Sequence, residues 1–199
     1  MPAPAGRRTQ TERSSEMKRR LVDAAISSLV DNGYARTSAV EVCRRAGVTR
    51  GALNHHFTSL AALFVEALEQ VYSRILGDTA SREELSLEQF VRGAWKRVAH
   101  DDFKAVIEIW LASRNDPHVG CELAPAIARM SVLFDPCRGR PESASPREER
   151  ELAAFSRLIQ ETLIGLALGR ATSPGGAPVA HEREVVDLLA AMARERDER

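Results

Sequence analysis

The chain has 199 residues, of which 44% are apolar and 28% charged, and its formal net charge is zero. This length fits one large domain or two small ones, and the composition is ordinary for a soluble globular protein. The longest apolar runs are too short to span a bilayer, and the N-terminus lacks the apolar segment of a signal peptide, so neither a membrane partner nor secretion is expected. Three cysteines without CxxC spacing (Cys43, Cys121 and Cys137) predict reduced thiols in a cytoplasmic protein rather than a disulfide framework or a zinc site.

Charge is unevenly distributed along the chain. Residues 1–60 carry ten Lys/Arg and five Asp/Glu, whereas the remaining residues carry 18 bases and 23 acids, so a net charge of +5 precedes a net charge of −5. A basic end on an acidic body is typical of a protein that binds a polyanion. The alternative is a basic disordered tail beside an ordinary solvated surface, and charge alone favours neither.

Almost the whole chain is predicted to be helical, because Ala, Leu, Glu and Arg dominate and period-2 alternation is scarce. Residues 1–14, rich in Pro, Gly, Ser and Arg, predict a disordered basic arm. The nine predicted helices cover residues 16–31, 39–46, 50–56, 60–76, 87–100, 102–114, 119–134, 146–171 and 181–194. The expected fold is all-α, with a three-helix unit in residues 15–60 and a second helical domain in residues 61–199.

Residues that satisfy free backbone groups mark the predicted helix ends. Ser38 with Glu41 three positions later makes a capping box, which starts the second helix. Gly33 and Gly47 are typical of helix C-termini, because glycine adopts the left-handed conformation without strain. Pro125 lies within the seventh predicted helix and should kink or restart it.

The second and third helices form the most informative unit, residues 38–57, with the sequence SAVEVCRRAGVTRGALNHHF. Two short helices joined by a tight turn with Gly are typical of a DNA-binding helix-turn-helix. The apolar positions predicted to point inward are Val40, Cys43, Ala46, Val48, Leu53 and Phe57. The positions predicted to contact DNA are Ser38, Thr49, Arg50, Gly51, Ala52, Asn54, His55 and His56, because such a helix presents side chains that can pair with base edges. The alternative is a helical hairpin without a DNA-binding role.

Residues 17–72 resemble the N-terminal domain of the TetR family of bacterial regulators. The resemblance rests on AAISSLVDNGYARTSAVEVCRRAGVTRGALNHHF and on Leu63-Phe64 in the fourth helix. Within these stretches, Gly33-Tyr34, Thr37-Ser38, Ala46-Gly47-Val48, Gly51 and His56-Phe57 stand at the family's spacing. The layout of the C-terminal helices also agrees. The resemblance implies a nine-helix subunit, an Ω-shaped homodimer, and a C-terminal domain in which a small molecule controls DNA affinity.

Two residues depart from the family's pattern. Asn54 stands where the family usually has a tyrosine that contacts the DNA backbone, so Asn54 either hydrogen-bonds a phosphate or reads adenine. Leu60 stands where the family usually has a lysine. Losing one phosphate contact should reduce the slope of log affinity against log salt concentration by about 0.9 per subunit. The basic residues of the N-terminal arm could compensate for this loss.

By resemblance, the fourth to eighth helices enclose a pocket for an effector. The candidate lining residues are Trp95, Phe103, Ile107, Trp110, Arg114, Met130 and Phe134. Trp110 is the strongest candidate, because a tryptophan fills space and offers one hydrogen-bond donor. The alternative for each residue is simple core packing.

The last two helices predict a dimer interface. Their apolar stripes are wide for surface helices, and two copies could form a four-helix interface around a two-fold axis. The candidate interface residues are Phe155, Leu158, Ile159, Leu163, Leu166, Val185, Leu188, Leu189 and Met192. The alternative is that both helices pack only on their own subunit.

The leading hypothesis is a DNA-binding transcriptional regulator, in particular a repressor released from a palindromic operator by a small molecule. The alternative is a ligand-binding or interaction protein of the same fold with weakened DNA binding. An enzyme is not expected, because no acid–base, metal or glycine-rich phosphate motif has a usable context. His55-His56 is not a metal site on this reading, since adjacent helical residues point about 100° apart. No cofactor is expected.

Overall fold

The computed structural model describes residues 9–76, 86–133 and 145–198; for residues 76 and 130–133 it describes the backbone alone. Over these residues the expectation of an all-α fold is confirmed. The nine helices are α1 (Gln10–Asn32), α2 (Ala39–Ala46), α3 (Arg50–His56), α4 (Leu60–Leu76), α5 (Leu87–Val98), α6 (Phe103–Asn115), α7 (Pro117–Leu133), α8 (Pro146–Thr172) and α9 (Glu182–Asp197). Two short 3₁₀ turns lie at Tyr34–Arg36 and Pro174–Gly176.

Helix α1 begins six residues before its predicted start. Thr9 is its N-cap: the hydroxyl accepts from the backbone N–H of Glu12, and the Glu12 carboxylate accepts from the Thr9 N–H at 2.7 Å. This reciprocal cap satisfies two otherwise free donors. The prediction of a disordered arm over residues 1–14 is therefore wrong from Gln10 onward, because the capping box of Thr9 and Glu12 starts the helix within this polar stretch. Residues 1–8 lie outside the described residues.

The helix-turn-helix forms as its caps predict. The Ser38 hydroxyl accepts from the backbone N–H of Glu41 and starts α2, and the Thr49 hydroxyl accepts from Ala52 and starts α3. Gly47 ends α2 in the left-handed conformation with φ 63°, which a side chain rarely adopts. The turn between the two helices is therefore set by residues 47–49.

The later helices also follow the predicted order. Asp116 separates α6 from α7, and its carboxylate accepts from the His118 N–H at 2.9 Å in the first turn of α7. Pro125 lies inside α7 without interrupting it, so the expected restart does not occur. Gly120 brings α7 close to α6, because a side chain there would begin 2.7 Å from the Ser113 carbonyl oxygen.

A contiguous hydrophobic core joins the N-terminal and C-terminal helices. Its largest fully buried side chains include Leu21, Ile26, Leu63, Phe64 and Phe103. One predicted inward position is wrong. Val40 is 67% exposed, and the neighbouring Val42 is fully buried instead, since α2 turns that face toward α1.

Helix α8 contains an 18-residue window with a mean hydropathy of 1.2, which is apolar enough for a membrane span by composition alone. This is weak evidence for a span, because α8 buries Phe155, Ile159 and Leu163 against the protein's own core. Helix α9 packs along α5. The Asp197 carboxylate accepts from the Leu87 N–H at 2.7 Å, and Arg92 pairs with Asp187 at 2.7 Å.

Candidate nucleic-acid interface

Polar contacts to α1 hold α2 in position. The hydroxyls of Ser28 and Thr37 are both buried and lie 2.9 Å apart. Arg45 on α2 donates to Ser27 at 2.8 Å, to Asp31 at 2.5 Å and to Glu41 at 2.7 Å. The Arg45 guanidinium thus joins α2 to α1 through two acceptors, Ser27 and Asp31, while Glu41 on its own helix holds the guanidinium in place, and this orients the unit that carries α3.

Helix α3 is held by one apolar face and leaves the other side open. Leu53 and Phe57 are buried in the core, and Val48 packs against it. Among the predicted contact residues, Thr49, Arg50, Gly51, Asn54 and His55 are exposed, as is Ser38 at the start of α2, whereas Ala52 and His56 are half-buried. The structure therefore brings these eight positions onto α3 and the adjoining start of α2. Their role in DNA contact stays a prediction.

Some of the arginines around this surface are paired within the subunit, whereas Arg50 is not. Glu41 accepts from both Arg44 and Arg45, and these hydrogen bonds lower the pKa of its carboxyl to about 2. Two of the basic side chains of α2 are thus already paired within the subunit. Arg50, in contrast, is exposed at the first position of α3 and has no ion pair among the described residues. Its charge is available to a partner.

Leu60 opens α4 and packs against the core, half-buried. A lysine at this position would present its charge beside α3, whereas the leucine adds apolar contact instead. The departure from the family's pattern thus exchanges a cation for packing at the junction of α3 and α4.

Two features of the interface were missed by sequence reasoning. The first turns of α1 lie beside α3, where Gln10, Arg13 and Ser14 face Ala52, His55 and His56 across an open cleft. The capping box at Thr9 was the signal that could have extended α1 this far. The second feature is Glu108 of α6, whose carboxylate accepts from the Tyr34 backbone N–H at 2.7 Å. No local pattern indicates that contact, since 74 residues separate the two groups.

The candidate effector residues separate into groups. The rings of Phe103 and Trp110 meet edge-to-face with centroids 5.8 Å apart. Trp95 is half-buried against the core, whereas Ile107 faces a different cleft of about 120 Å³ between α1, α6 and α8. Arg114 is exposed at the end of α6. The side chain of Met130 and the whole of Phe134 lie outside the described residues.

Tyr72 on α4, which sequence reasoning did not single out, has a buried hydroxyl close to Trp110. Neither the Tyr72 hydroxyl nor the Trp110 indole N–H has a hydrogen-bond partner of normal geometry among the described residues. Burial raises the pKa of Tyr72 to about 12, against a smaller lowering by the Trp110 indole. Apart from this weak contact with each other, the two buried polar groups have no partner within the residues that the structure describes, which is costly unless something else bonds them.

The predicted dimer residues also divide in two. Phe155, Ile159, Leu163 and Leu189 are buried within their own subunit and offer no surface to a partner. Leu158, Leu188 and Met192 are exposed, with Leu188 63% exposed, and Leu166 and Val185 are half-buried. Leu168 is exposed on α8 as well. An apolar surface on α8 and α9 thus remains uncovered in the single subunit.

Comparisons with known proteins agree with this architecture. The family model of bacterial regulatory proteins, tetR family, matches residues 21–67. The HTH-type transcriptional regulator CymR of Pseudomonas putida is 32% identical over 117 residues, a match that covers 56% of this chain and 58% of that protein. An uncharacterised HTH-type transcriptional regulator of Mycobacterium bovis is 28% identical over 193 residues, covering 93% of this chain and 97% of that protein.

Among solved structures, the multidrug binding protein EbrR complexed with imidazole has the same fold. Its TM-score is 0.59 at 22% identity, and the match covers 95% of this chain and 96% of that chain. The matched relatives are transcriptional regulators rather than enzymes, in agreement with the sequence-based expectation. With the helix-turn-helix and the helical C-terminal region described above, these likenesses show that residues 21–67 form a helix-turn-helix domain of the tetR-family type and that the chain is a DNA-binding transcriptional regulator.

Proposed function

We propose that the chain is a homodimeric repressor that leaves a palindromic operator when a small molecule binds its C-terminal helices. The observation that carries the proposal is the exposed face of α3, where the side chains of Arg50 and Asn54 make no intramolecular hydrogen bond within the described part of the chain. Such a protein acts in the cytoplasm, where the DNA is.

Arg50 and Asn54 have the chemistry to read bases. An arginine can pair with the O6 and N7 atoms of guanine, and an asparagine with the N6 and N7 atoms of adenine. Both residues lie in the short helix whose N-terminal end would enter the major groove. Thr49 caps α3 and so fixes its start, which makes it a positioning residue as well as a candidate contact.

Dimerisation would follow from the uncovered surface of α8 and α9. Leu158, Leu168, Leu188 and Met192 are exposed in one subunit, and a second copy could cover them by presenting the same surface. Two recognition helices in such a dimer would contact half-sites about 34–36 Å apart. Because the two subunits would be related by a two-fold axis, the half-sites would be inverted copies of each other, which is the physical reason to expect a palindromic operator.

Tyr72 and Trp110 support an effector site in the C-terminal helices. The indole N–H can only donate, and the tyrosine hydroxyl can donate or accept, so a ligand with a hydrogen-bond acceptor would satisfy them. The surroundings, including Phe103, are apolar, which favours a compact ligand with one or two polar atoms. The solved relative EbrR was captured with imidazole, a ring of that kind.

Contacts between α6 and the N-terminal helices offer a route from effector to DNA. Glu108 accepts from the Tyr34 N–H, and the Tyr34 ring lies against Phe64 of α4 with centroids 5.4 Å apart. Arg74 of α4 bonds both Asp23 of α1 and Asp102 at the start of α6. A ligand that prefers one arrangement of α4 and α6 would shift these contacts, by no more than its differential affinity allows.

The first experiment is a fluorescence-anisotropy titration of the purified full chain against duplexes from the region upstream of its own gene and from a genomic fragment pool. We expect affinity of about 10 nM or tighter for at least one fragment, with a steep dependence on salt. Binding no stronger than to random DNA for every fragment, even at low salt, would reject the repressor proposal. It would favour the alternative, a ligand-binding protein with weakened DNA contact, which the half-buried Leu60 motivates.

Variants then separate base reading from general attraction. Arg50→Ala should cost about 1–3 kcal/mol on the operator. Arg147→Ala removes the same charge from α8 and should have little effect. Asn54→Ala distinguishes two roles: loss confined to operators with one particular adenine indicates base reading, whereas equal loss on all sequences indicates a phosphate contact.

A further inference from the structure

An open cleft of about 610 Å³ runs between the first two turns of α1 and the outer side of α3; we refer to it as the α1–α3 cleft. It is lined by Gln10, Thr11, Arg13, Ser14, Ser15, Met17, Ala52, His55 and His56. His55 and His56 also belong to the predicted recognition surface. The cleft therefore continues that surface rather than forming a separate site.

The lining of the cleft is uniform in chemistry. None of its nine residues is acidic, and seven of them carry hydroxyl, amide, imidazole or guanidinium groups. The adjoining side of α1 differs, because a second open cleft there shares Thr11 and Ser15 with the first but is otherwise lined by Glu12, Glu16 and Arg19. Helix α1 thus directs its carboxylates away from α3 and its hydrogen-bond donors toward it. Phosphate oxygens are contacted in protein–DNA complexes by side chains of this donor type.

Arg13 is the cation in the cleft, and its charge is unused within the described residues. Two other basic residues of α1 are already engaged: Lys18 pairs with Glu66 at 2.7 Å, and Arg20 donates to the Ala46 carbonyl oxygen, while the exposed Arg19 lies on the side of α1 away from the cleft. Arg13, in contrast, is exposed and makes no side-chain hydrogen bond or ion pair in the part of the chain that the structure describes. A phosphate in the cleft would supply its missing partner.

We propose that the α1–α3 cleft holds the phosphodiester backbone of one DNA strand beside the major groove, with Arg13 as a phosphate contact. The inference rests on the proposed DNA-binding function and adds the first two turns of α1 to the surface formed by α2 and α3. On this inference the early start of α1 has a functional consequence: the capped first turn over Thr9–Glu12 places Arg13 at the edge of α3. The contact is independent of base sequence.

The test uses the full chain and compares the salt dependence of operator binding between 50 and 200 mM salt for Arg13→Gln and Arg19→Gln. Each phosphate contact contributes about 0.9 to the slope of log affinity against log salt concentration, so losing Arg13 from both subunits should lower the slope by about 1.8. Between 50 and 200 mM salt, the affinity of Arg13→Gln should therefore fall about 12-fold less than that of the original chain. Arg19→Gln removes the same charge from the other side of α1 and should reduce the slope by less than half as much. Arg13→Lys keeps the charge and should retain the slope.

The outcomes separate the two proposals. If the original chain binds its operator with a steep slope and Arg13→Gln leaves that slope unchanged, the cleft does not hold DNA, although the regulator proposal stands. If Arg13→Gln and Arg19→Gln reduce the slope equally, the effect comes from the overall charge of α1 and not from a phosphate contact in the cleft, and the inference is overturned. If the original chain binds no duplex at low salt, the proposed function itself fails. Circular dichroism and thermal melting establish that each variant is folded, as expected for exposed positions.

Discussion

Glu108→Ala tests the junction between the C-terminal helices and the helix-turn-helix. The Glu108 carboxylate accepts from the partly buried Tyr34 N–H at 2.7 Å, and a side chain at Gly33 would begin 3.0 Å from the same carboxylate. A hydrogen bond to a charged group contributes about 1.5–3 kcal/mol, and its removal leaves the N–H unsatisfied. We expect Glu108→Ala to lower the free energy of unfolding by that amount. Glu108→Gln should lower it by about half, because the amide oxygen still accepts.

Urea unfolding followed by tryptophan fluorescence, at fixed protein concentration, measures this loss. In a chain of this size, each kcal/mol corresponds to about 2–4 °C in Tm, so Glu108→Ala should lower Tm by about 3–12 °C. The matched control is Glu122→Ala, which removes an exposed hydrogen bond to Ser59 of 3.1 Å and should cost about 0.5 kcal/mol or less. Equal losses for the two variants would refute the reasoning, since burial and the backbone partner would then make no difference.

Three further predictions concern the effector site, the dimer and pH. Tyr72→Phe removes an unsatisfied buried hydroxyl and should leave Tm unchanged or raise it, as checked by calorimetry, while weakening any effector that raises the Tm of the original chain. Leu188→Glu should convert a dimer to monomers in sedimentation analysis, whereas Leu111→Glu, equally apolar and exposed on α6, should not. The depressed pKa of Glu41 stabilises the fold above its usual value of 4.5, and this contribution is lost as pH falls toward about 2. Glu41→Gln should therefore flatten the acid limb of the stability–pH profile, and an unchanged limb would contradict the assignment.

Local chemistry made most helix ends predictable. Ser38, Gly47 and Thr49 each act on backbone groups within four residues, so their effect can be read without knowing the fold. The same rules applied to Thr9 and Glu12 would have placed the start of α1 correctly. Polar composition alone indicates disorder over residues 10–14, but the local cap outweighs it and the stretch is helical.

The buried side of each helix and the contacts between residues far apart in sequence were less predictable. Val40 and Val42 differ by two positions on a short helix, and only the direction from which α1 packs decides which is buried. The bond from Tyr34 to Glu108 depends on how α6 crosses the end of α1, which no local pattern encodes. The same limit applies to the candidate effector residues: Phe103 and Trp110 meet, but Arg114 faces solvent.

The residues that would read DNA and the residues that hold the unit together are different side chains. The side chains of Arg50, Asn54 and His55 form no hydrogen bonds within the part of the chain the structure describes, whereas Arg45 and Thr37 join α1 to α2 from another side. Exposed positions of this kind usually tolerate substitution within about 0.5 kcal/mol. A duplicated copy of this gene could therefore acquire a new operator through changes on α3 alone, without compensating changes in the scaffold. The same separation makes α3 a suitable region for a randomised library that seeks new DNA targets.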